Sequence, residues 1–369
     1  MKNFSKILYT LFFLIFFLNS YSQEETAPKK DTVDAPTALI ISGNNKCDSA
    51  EVHLKKKEKK IADKLFADAL KDYKKSLKLN KTSYVTYYRM GLLQSKTDEN
   101  KDAIISFTTA IKLDSTHGEA YRDRGIAEVA LQKFTEAKND FTHAISMDVT
   151  DAVAYYQRGM LAEKGGNKQP AFDDYEAALD TKPNYADVLF RRGMLLNNYK
   201  KDYVLALADF NRVTEIDPDY NKAYFWKGKA YFNGEDYKSA DKELTHFLQS
   251  DSNNIDALIL RGAARLNNND YSNSIRDFDD VIQMDPKNYI ALTNRGLAKG
   301  QSNNIAGGLE DLDLAIKIKF DYSPAYINRA LIRYINKDRK GGCADLKKAD
   351  GLNNAKAYEL IQKYCKETF

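Results

Sequence analysis

The chain has 369 residues, with 56 Lys or Arg against 52 Asp or Glu, so its formal net charge is only +4. Both signs are interspersed along the sequence, and this balance argues against the basic surface of a nucleic-acid-binding protein. The histidines at 53, 117, 143 and 246 share no metal-ligand spacing, so neither a metal nor another cofactor is expected.

Residues 1–22 have the layout of a cleaved secretory signal peptide. Lys2 and Lys6 form a short basic region, residues 7–18 are almost wholly apolar, and small residues precede Gln23. An uncleaved anchor is the alternative, but this run is shorter than the ~20 apolar residues that a membrane helix needs. Cleavage predicts an exported chain with no transmembrane span.

Residues 23–49 are expected to form a flexible linker. The segment is polar, contains Pro28 and Pro36, and lies outside the repeat described below. The run KKKEKK at residues 55–60 is interpreted as a solvated helix face rather than as a binding patch.

From residue 50 the sequence repeats itself. One small residue recurs at spacings of 34, with a single spacing of 35, at Ala69, Ala103, Ala137, Ala171, Ala206, Ala240, Ser274, Gly308 and Gly342. A period of this length indicates stacked supersecondary units. Nine units are predicted: 50–83, 84–117, 118–151, 152–185, 186–220, 221–254, 255–288, 289–322 and 323–356. Residues 357–369 are predicted to form a capping helix.

Each unit is predicted to hold two helices, because apolar residues recur at helical spacing on either side of a polar break. Pro183, Pro218 and Pro286 fall where the second helix must stop. Glycine recurs midway along the first helix, where it costs ~1 kcal/mol relative to alanine, and this predicts close helix contact. Within the fourth unit, Gly165 and Gly166 are therefore interpreted as a turn and not as a phosphate loop.

These residues resemble the pattern of tetratricopeptide-repeat proteins. The small residue of each first helix, the alanines, the aromatic residues and the closing prolines match over nearly the whole mature length. The resemblance is weaker in the first unit, where Lys57 replaces the small residue. It implies an all-α, right-handed superhelical solenoid of antiparallel helix pairs. Such proteins serve mainly as scaffolds that bind proteins or peptides.

A charged pair recurs in the units and is interpreted as structural, because chemistry needs one special site and not several equivalents. In the second unit both members disappear together, as Met90 and Ser106, which predicts contact within one unit. The sixth unit keeps the signs, with Lys227 and Glu243. The remaining pairs are Arg124 with Asp140, Arg158 with Asp174, Arg192 with Asp209, Arg261 with Asp277, Arg295 with Asp311, and Arg329 with Asp345.

Cys343 and Cys365 are candidates for a disulfide that clamps the C-terminal helix, because exported chains meet oxidising conditions. Two free thiols are the alternative. The C-terminal segment also resembles the ends of exported repeat proteins of the Bacteroidetes type, which implies the periplasm or cell envelope of a Gram-negative bacterium. Cys47 is expected at the opposite end of an elongated repeat array, where it cannot readily reach either cysteine.

In the family that the chain resembles, the first helices line a concave groove. Two of the groove positions carry an apolar, aromatic-rich stripe, and such stripes mark interaction surfaces. Winding of the array could instead bury much of it against neighbouring helices. The candidate groove residues are Tyr88, Tyr156, Met160, Phe190, Met194, Phe225, Lys229, Ile259 and Ile327.

The sequence thus predicts a non-enzymatic scaffold that binds a protein or peptide segment along this groove. No catalytic residue is assigned, because the carboxylates follow the repeat and the motifs HExxH, GxSxG, P-loop and CxxC are absent from the sequence. Two alternatives stay open: a structural spacer in a cell-envelope complex, and an accessory subunit of an envelope enzyme. The partner, the pathway and the oligomeric state are not predicted.

Overall fold

The computed structural model describes residues 33–365. The predicted signal peptide and the last residues of the predicted capping helix lie outside this range. Nineteen helices, and no strand, occur within residues 33–365. The chain divides into two compact units, one ending at Ser115 and the other beginning at Thr116.

Within residues 33–115, the first compact unit contains four helices, and each pair of consecutive helices packs together. The helices are α1 (Ala35–Lys55), α2 (Lys59–Leu79), α3 (Tyr84–Lys96) and α4 (Asn100–Leu113).

The second compact unit continues the same arrangement with seven further pairs and one closing helix. First helices are α5 (Gly118–Ala130), α7 (Ala152–Lys164), α9 (Ala186–Leu195), α11 (Asn221–Asn233), α13 (Ile255–Asn267), α15 (Tyr289–Gln301) and α17 (Ser323–Ile335). Second helices are α6 (Phe134–Met147), α8 (Lys168–Thr181), α10 (Tyr203–Ile216), α12 (Tyr237–Ser250), α14 (Tyr271–Met284), α16 (Ile305–Ile318) and α18 (Arg339–Asp350). The closing helix, α19, spans Ala355–Tyr364.

Local sequence sets the helix ends. Asn254 caps α13, where its side-chain oxygen accepts a hydrogen bond of 3.0 Å from the Ala257 backbone N–H, and Asp270 caps α14 in the same way. Such caps satisfy N–H groups that have no partner inside the helix. Helix α8 ends at Thr181, two residues before Pro183, as expected from the steric limits of the residue before proline.

The recurring glycines lie where the two helices of a pair meet. A Cβ atom added to Gly125 would lie 2.8 Å from the Phe141 ring, and one added to Gly262 would lie 2.8 Å from the Phe278 ring. The ring of the second helix fills the space that the missing side chain leaves. This contact offsets the cost of glycine within a helix. In the turn that was considered as a phosphate loop, Gly166 adopts a φ of 77°.

The prediction of a flexible linker over residues 23–49 is wrong for residues 35–49, which belong to the 21-residue helix α1. Gly43 is the small residue of the first pair, because a Cβ added there would lie 2.5 Å from the Tyr73 ring. Lys57, which the sequence analysis assigned to that position, lies in the turn after α1 with a φ of 63°. The first pair therefore begins at Ala35 and not at residue 50.

Between the glycine–ring contact and the turn, each helix of the first pair has seven more residues than a regular repeat helix. Gly43 precedes the left-handed turn residue Lys57 by 14 positions, whereas Gly91 precedes the equivalent Asp98 by 7. Tyr73, whose ring packs on Gly43, follows Lys57 by 16 positions, whereas Phe107 follows Asp98 by 9. Seven residues make about two helical turns, so the same faces meet despite the extra length.

The single spacing of 35 is absorbed at the end of α9. Residues Leu196–Lys200 form a π-helical turn, and the left-handed residue Lys201 follows. A π turn accommodates one additional residue within a helix. The partners on either side, Gly193 and the Phe210 ring, keep the close contact seen in the other pairs.

Candidate functional site

In every predicted charged pair, the two side chains are in contact and join the first helix to the second helix of the same unit. Arg124 donates through Nε and Nη2 to the two carboxylate oxygens of Asp140, both at 2.7 Å. Bidentate bonds of this kind fix orientation as well as distance. The other contacts are Arg158–Asp174, Arg192–Asp209, Lys227–Glu243, Arg261–Asp277, Arg295–Asp311 and Arg329–Asp345.

The sequence analysis missed a second cation that binds several of these carboxylates. Arg265, Lys299 and Arg333 each lie four residues after the repeat arginine and contact the same aspartate at 2.8–2.9 Å. Residues four apart share a helix face, so this spacing was a signal that could have been read. In the first pair, Asp72 accepts a hydrogen bond of 2.7 Å from Ser42 and also contacts Lys46.

These carboxylates are largely removed from water. Burial raises the pKa of Asp209, and the hydrogen bonds from Arg192 oppose that shift. The hydrogen bond with Asp209 in turn raises the pKa of Arg192. A buried carboxylate that lost its cation would lower the free energy of unfolding, because its charge would be unpaired. Each pair must therefore keep its two side chains in contact, and this contact holds the two helices at a set angle.

The stripe of candidate groove residues is only partly accessible. Phe190 and Ile327 are buried, with 9% and 6% of their surfaces exposed. The prediction of an open stripe is therefore wrong at these two positions, and the alternative of burial by neighbouring helices applies to them. The other seven candidates are half-buried: Tyr88, Tyr156, Met160, Met194, Phe225, Lys229 and Ile259.

A tyrosine just before the next first helix causes much of this burial. Tyr220, the N-cap of α11, lies 5.1 Å from Phe190 between ring centroids. Tyr185, the N-cap of α9, lies 5.3 Å from Tyr156 in the same way. Tilted aromatic pairs at such distances are favourable. The recurrence of tyrosine at the last position of a unit was a signal that the sequence analysis did not use.

A groove lies between the first helices α5, α7 and α9, next to the turn that leads into α6, and we call it the amide groove. It holds about 540 Å³, and its lining includes Val129, Gln132, Gln157, Met160 and Lys164. Met160 is the one groove candidate from the sequence among the residues that line it. The lining combines an apolar floor with side-chain amides that can both donate and accept hydrogen bonds.

Arg191 forms one side of the amide groove and is held by a polar network. It donates to Glu163 at 3.2 Å and to the Tyr156 hydroxyl at 3.4 Å. Tyr175 donates to the same carboxylate oxygen of Glu163 at 2.7 Å. Because Glu163 has two donors, the guanidinium is fixed in direction.

The predicted disulfide between Cys343 and Cys365 is present, with the Cα atoms 5.8 Å apart. It joins α18 to the end of α19, and the Tyr334 hydroxyl lies 3.0 Å from Cys343 Sγ and 3.1 Å from Cys365 Sγ. Cys47 is a free, half-buried thiol. Burial raises its pKa, which makes it a weak nucleophile.

Within residues 33–365, no cluster of three or more His, Cys, Asp or Glu side chains is arranged to hold a metal ion. The same range contains no helix with the length and apolar character needed to cross a membrane.

Antiparallel helix pairs that repeat with a glycine contact and a charged pair define a helical-repeat protein. Models of the tetratricopeptide repeat match residues 84–117, 122–186 and 222–254. These three segments of the chain are tetratricopeptide repeats.

Many solved structures match this chain. YrrB, described as a tetratricopeptide-repeat protein with an unusual peptide-binding site, is 26% identical over 50% of this chain and 95% of its own, with a TM-score of 0.45. The C-terminal part of a repeat protein from Cytophaga hutchinsonii is 18% identical over 74% of this chain and 98% of its own, with a TM-score of 0.45. A repeat protein from Parabacteroides merdae is 18% identical over 77% and 97%, with a TM-score of 0.38. No curated protein matches the sequence.

Proposed function

We propose that the chain is a non-enzymatic scaffold that binds an extended segment of another protein in the amide groove. The observation that carries this proposal is the lining of that groove, where Met160 and Val129 lie beside the amides of Gln132 and Gln157. An extended backbone presents N–H and C=O groups that such amides can pair. An adaptable methionine suits apolar side chains of varied shape.

The charged rim gives the bound segment a direction. Lys164 is exposed, and its Nζ atom lies 3.9 Å from the centroid of the Phe134 ring. Arg191, on the other side, is neutralised by Glu163. Because Lys164 has no ion-pair partner among residues 33–365, an acidic residue of the segment would lie at that end.

This proposal moves the binding site away from the residues at the centre of the sequence prediction. Phe190 is buried between two rings, so it supports the fold and is not a ligand anchor. Tyr156 contributes by orienting Arg191, while Met160 and Gln157 contact the segment.

Export to the periplasm or cell envelope is part of the proposal. The disulfide between Cys343 and Cys365 supports it, because such bonds persist in oxidising compartments. The signal peptide predicted over residues 1–22 lies outside the described residues.

The test is a cross-linked pull-down from the native cell envelope with the variant Met160→Glu, Gln157→Ala. The matched control is Met284→Glu, since Met284 lies on the second helix α14 and is 40% exposed. We expect partners that the wild type and the control capture to be lost from the groove variant. Circular dichroism checks that all three chains remain folded.

Retention of the same partners by a folded groove variant would refute binding in the amide groove. That result would favour the alternative of a structural spacer, or of an accessory subunit that works through its other faces.

A further inference from the structure

Fourteen extra residues of the first helix pair lie between the Gly43–Tyr73 contact and the turn that joins α1 to α2. Residues 51–64, which we call the hairpin tip, extend past the point where a regular pair turns back. Seven additional residues in each helix correspond to about 10 Å of projection. From Glu51 to Ile61 every residue is exposed except the half-buried His53.

The hairpin tip is nevertheless an ordered support. Ala50 and Ala62 are fully buried between the two helices, and Phe66 follows with 5% of its surface exposed. Glu51 at its base pairs with Lys96 at the end of α3. Small residues that let two helices approach closely give a rigid hairpin, so the backbone that carries the tip side chains is held in place before any partner arrives.

Positive charge is concentrated on this tip. Residues 55–60 contain five lysines and one glutamate, which gives +4, and the formal net charge of the whole chain is also +4. The rest of the sequence therefore sums to zero. The glutamate, Glu58, is in contact with His53, whose Nδ1 lies 2.5 Å from Glu58 Oε2. Over the whole tip, Glu51, Asp63 and Lys64 bring the formal net charge to +3.

Apolar side chains are exposed among these lysines. The exposed fraction is 51% for Val52, 39% for Leu54 and 47% for Ile61. Ala50, Ala62 and Phe66 make the internal contacts of the hairpin. The packing of the two helices therefore does not explain why Val52, Leu54 and Ile61 are apolar. A surface that combines lysines with exposed aliphatic groups on ordered helices has the chemistry of an interfacial membrane contact.

We propose that the hairpin tip docks the protein on an anionic membrane surface. The lysines contact headgroup phosphates, and Val52, Leu54 and Ile61 reach the boundary of the acyl chains. Lysines near an anionic bilayer each add to the attraction. The tip carries its lysines on a turn and on two helices, and lysine is a flexible point charge. Such a surface suits many headgroup phosphates better than one carboxylate that must be bound in a fixed direction.

The test is co-sedimentation of the purified chain with lipid vesicles. One set contains phosphatidylcholine with one third phosphatidylglycerol, and the other contains phosphatidylcholine alone. We expect the triple variant Lys55→Glu, Lys57→Glu, Lys60→Glu to lose at least tenfold in partitioning to anionic vesicles. Binding to neutral vesicles measures any contribution of the apolar N-terminal residues. Raising the salt to 0.5 M should abolish the difference in partitioning between anionic and neutral vesicles.

The matched control reverses three exposed lysines away from the tip, two near the opposite end of α2 and one in the turn after it: Lys74→Glu, Lys78→Glu, Lys81→Glu. It has the same net charge as the tip variant and should bind anionic vesicles at least fivefold better. A second variant, Val52→Ser, Ile61→Ser, keeps all the lysines and should weaken binding severalfold.

Equal binding by the tip variant and its control would overturn the proposal, because net charge alone would then explain the attraction. Failure of the wild-type chain to sediment with anionic vesicles would overturn it as well. In that case an acidic protein surface would be the partner whose charge fits the tip. Neither result depends on the amide groove, which the Met160 variant tests separately.

Discussion

At the scale of single residues, Glu128 on α5 departs from the pattern of its neighbours in the repeat. The equivalent position carries Arg265, Lys299 or Arg333 in later pairs, where the cation binds the repeat aspartate. Glu128 is 7% exposed, and its Oε2 atom has no hydrogen-bond partner among the described residues. Burial, and then the nearby charge of Asp140, raise its pKa to about 7.

This shift predicts a dependence of stability on pH. Between the unfolded pKa of about 4.5 and the folded value of about 7, the native chain binds the proton and the unfolded chain does not. The free energy of unfolding therefore falls as the pH rises through that window, by up to about 3 kcal/mol. Glu128→Gln removes this loss, so it should stabilise the protein at pH 8 and change little at pH 4.5.

Urea unfolding of both chains at pH 4.5 and pH 8 measures this difference. The exposed residue Glu310 supplies a control, Glu310→Gln, that should change stability equally at both pH values. If Glu128→Gln were no more stabilising at pH 8 than at pH 4.5, the buried carboxyl would not be protonated in the native state as argued.

The charged pair of Arg192 and Asp209 is suited to a double-mutant cycle, because Arg192 donates to both oxygens of this carboxylate at 2.9 and 2.7 Å. The Asp209 side chain is 5% exposed. We expect Arg192→Ala to cost about 3 kcal/mol, since it leaves a buried carboxylate unpaired. The two side chains should couple by about 1–3 kcal/mol in the free energy of unfolding.

The double variant should therefore be less destabilised than the sum of the single ones. Strict additivity of the two single changes would show that the contact contributes nothing to holding α9 against α10.

At the scale of helices, the first pair should tolerate the loss of its extra turns. Removal of residues 48–54 and 59–65 restores the regular spacing from Gly43 to Lys57 and from Lys57 to Tyr73. Seven residues rotate a helix by about two turns, with a drift of about 20°. We expect the shortened chain to keep a cooperative unfolding transition, followed by circular dichroism on heating.

The control removes five residues from each helix, namely 50–54 and 59–63. Five residues turn a helix by about 140° beyond a whole turn, which takes Gly43 away from the Tyr73 ring. This variant should lose the first pair, with a smaller helical signal. Similar unfolding curves for both deletions would contradict the argument that helical phase is what the extra residues preserve.

The repeat period predicted the position of the second helix of the first pair correctly and that of the first helix wrongly. Ala69 lies in phase with the later repeats, and it packs in α2 as its equivalents do. Counting back by a constant 34 residues placed Lys57 in the first helix. The extra residues of the first pair lie before Ala69, the residue on which the period is anchored, so they do not change the spacing between anchors. Gly43 and the apolar residues 37–41 were the available signal, and they lay in the segment assigned to the linker.

At the scale of the whole molecule, the period predicted the helix pairs and charged contacts because each depends on residues within one unit. The groove could not be predicted as well, because exposure depends on the adjacent unit. Phe190 and Tyr156 occupy the same repeat position, yet one is buried and the other half-buried. Each of them packs against a tyrosine at the boundary with the next unit, Tyr220 or Tyr185, so neither exposure follows from the residues of one unit alone.

The two changes of length in the array occur at the same end of a helix pair. Fourteen extra residues follow Gly43 in the first pair, and one follows Gly193 in the fifth. Neither disturbs the connection from a second helix to the next first helix, where stacking is decided. This end of each pair is thus the place where the gene can gain or lose codons while the array still assembles. It is also where an engineer could insert an epitope or a foreign binding loop.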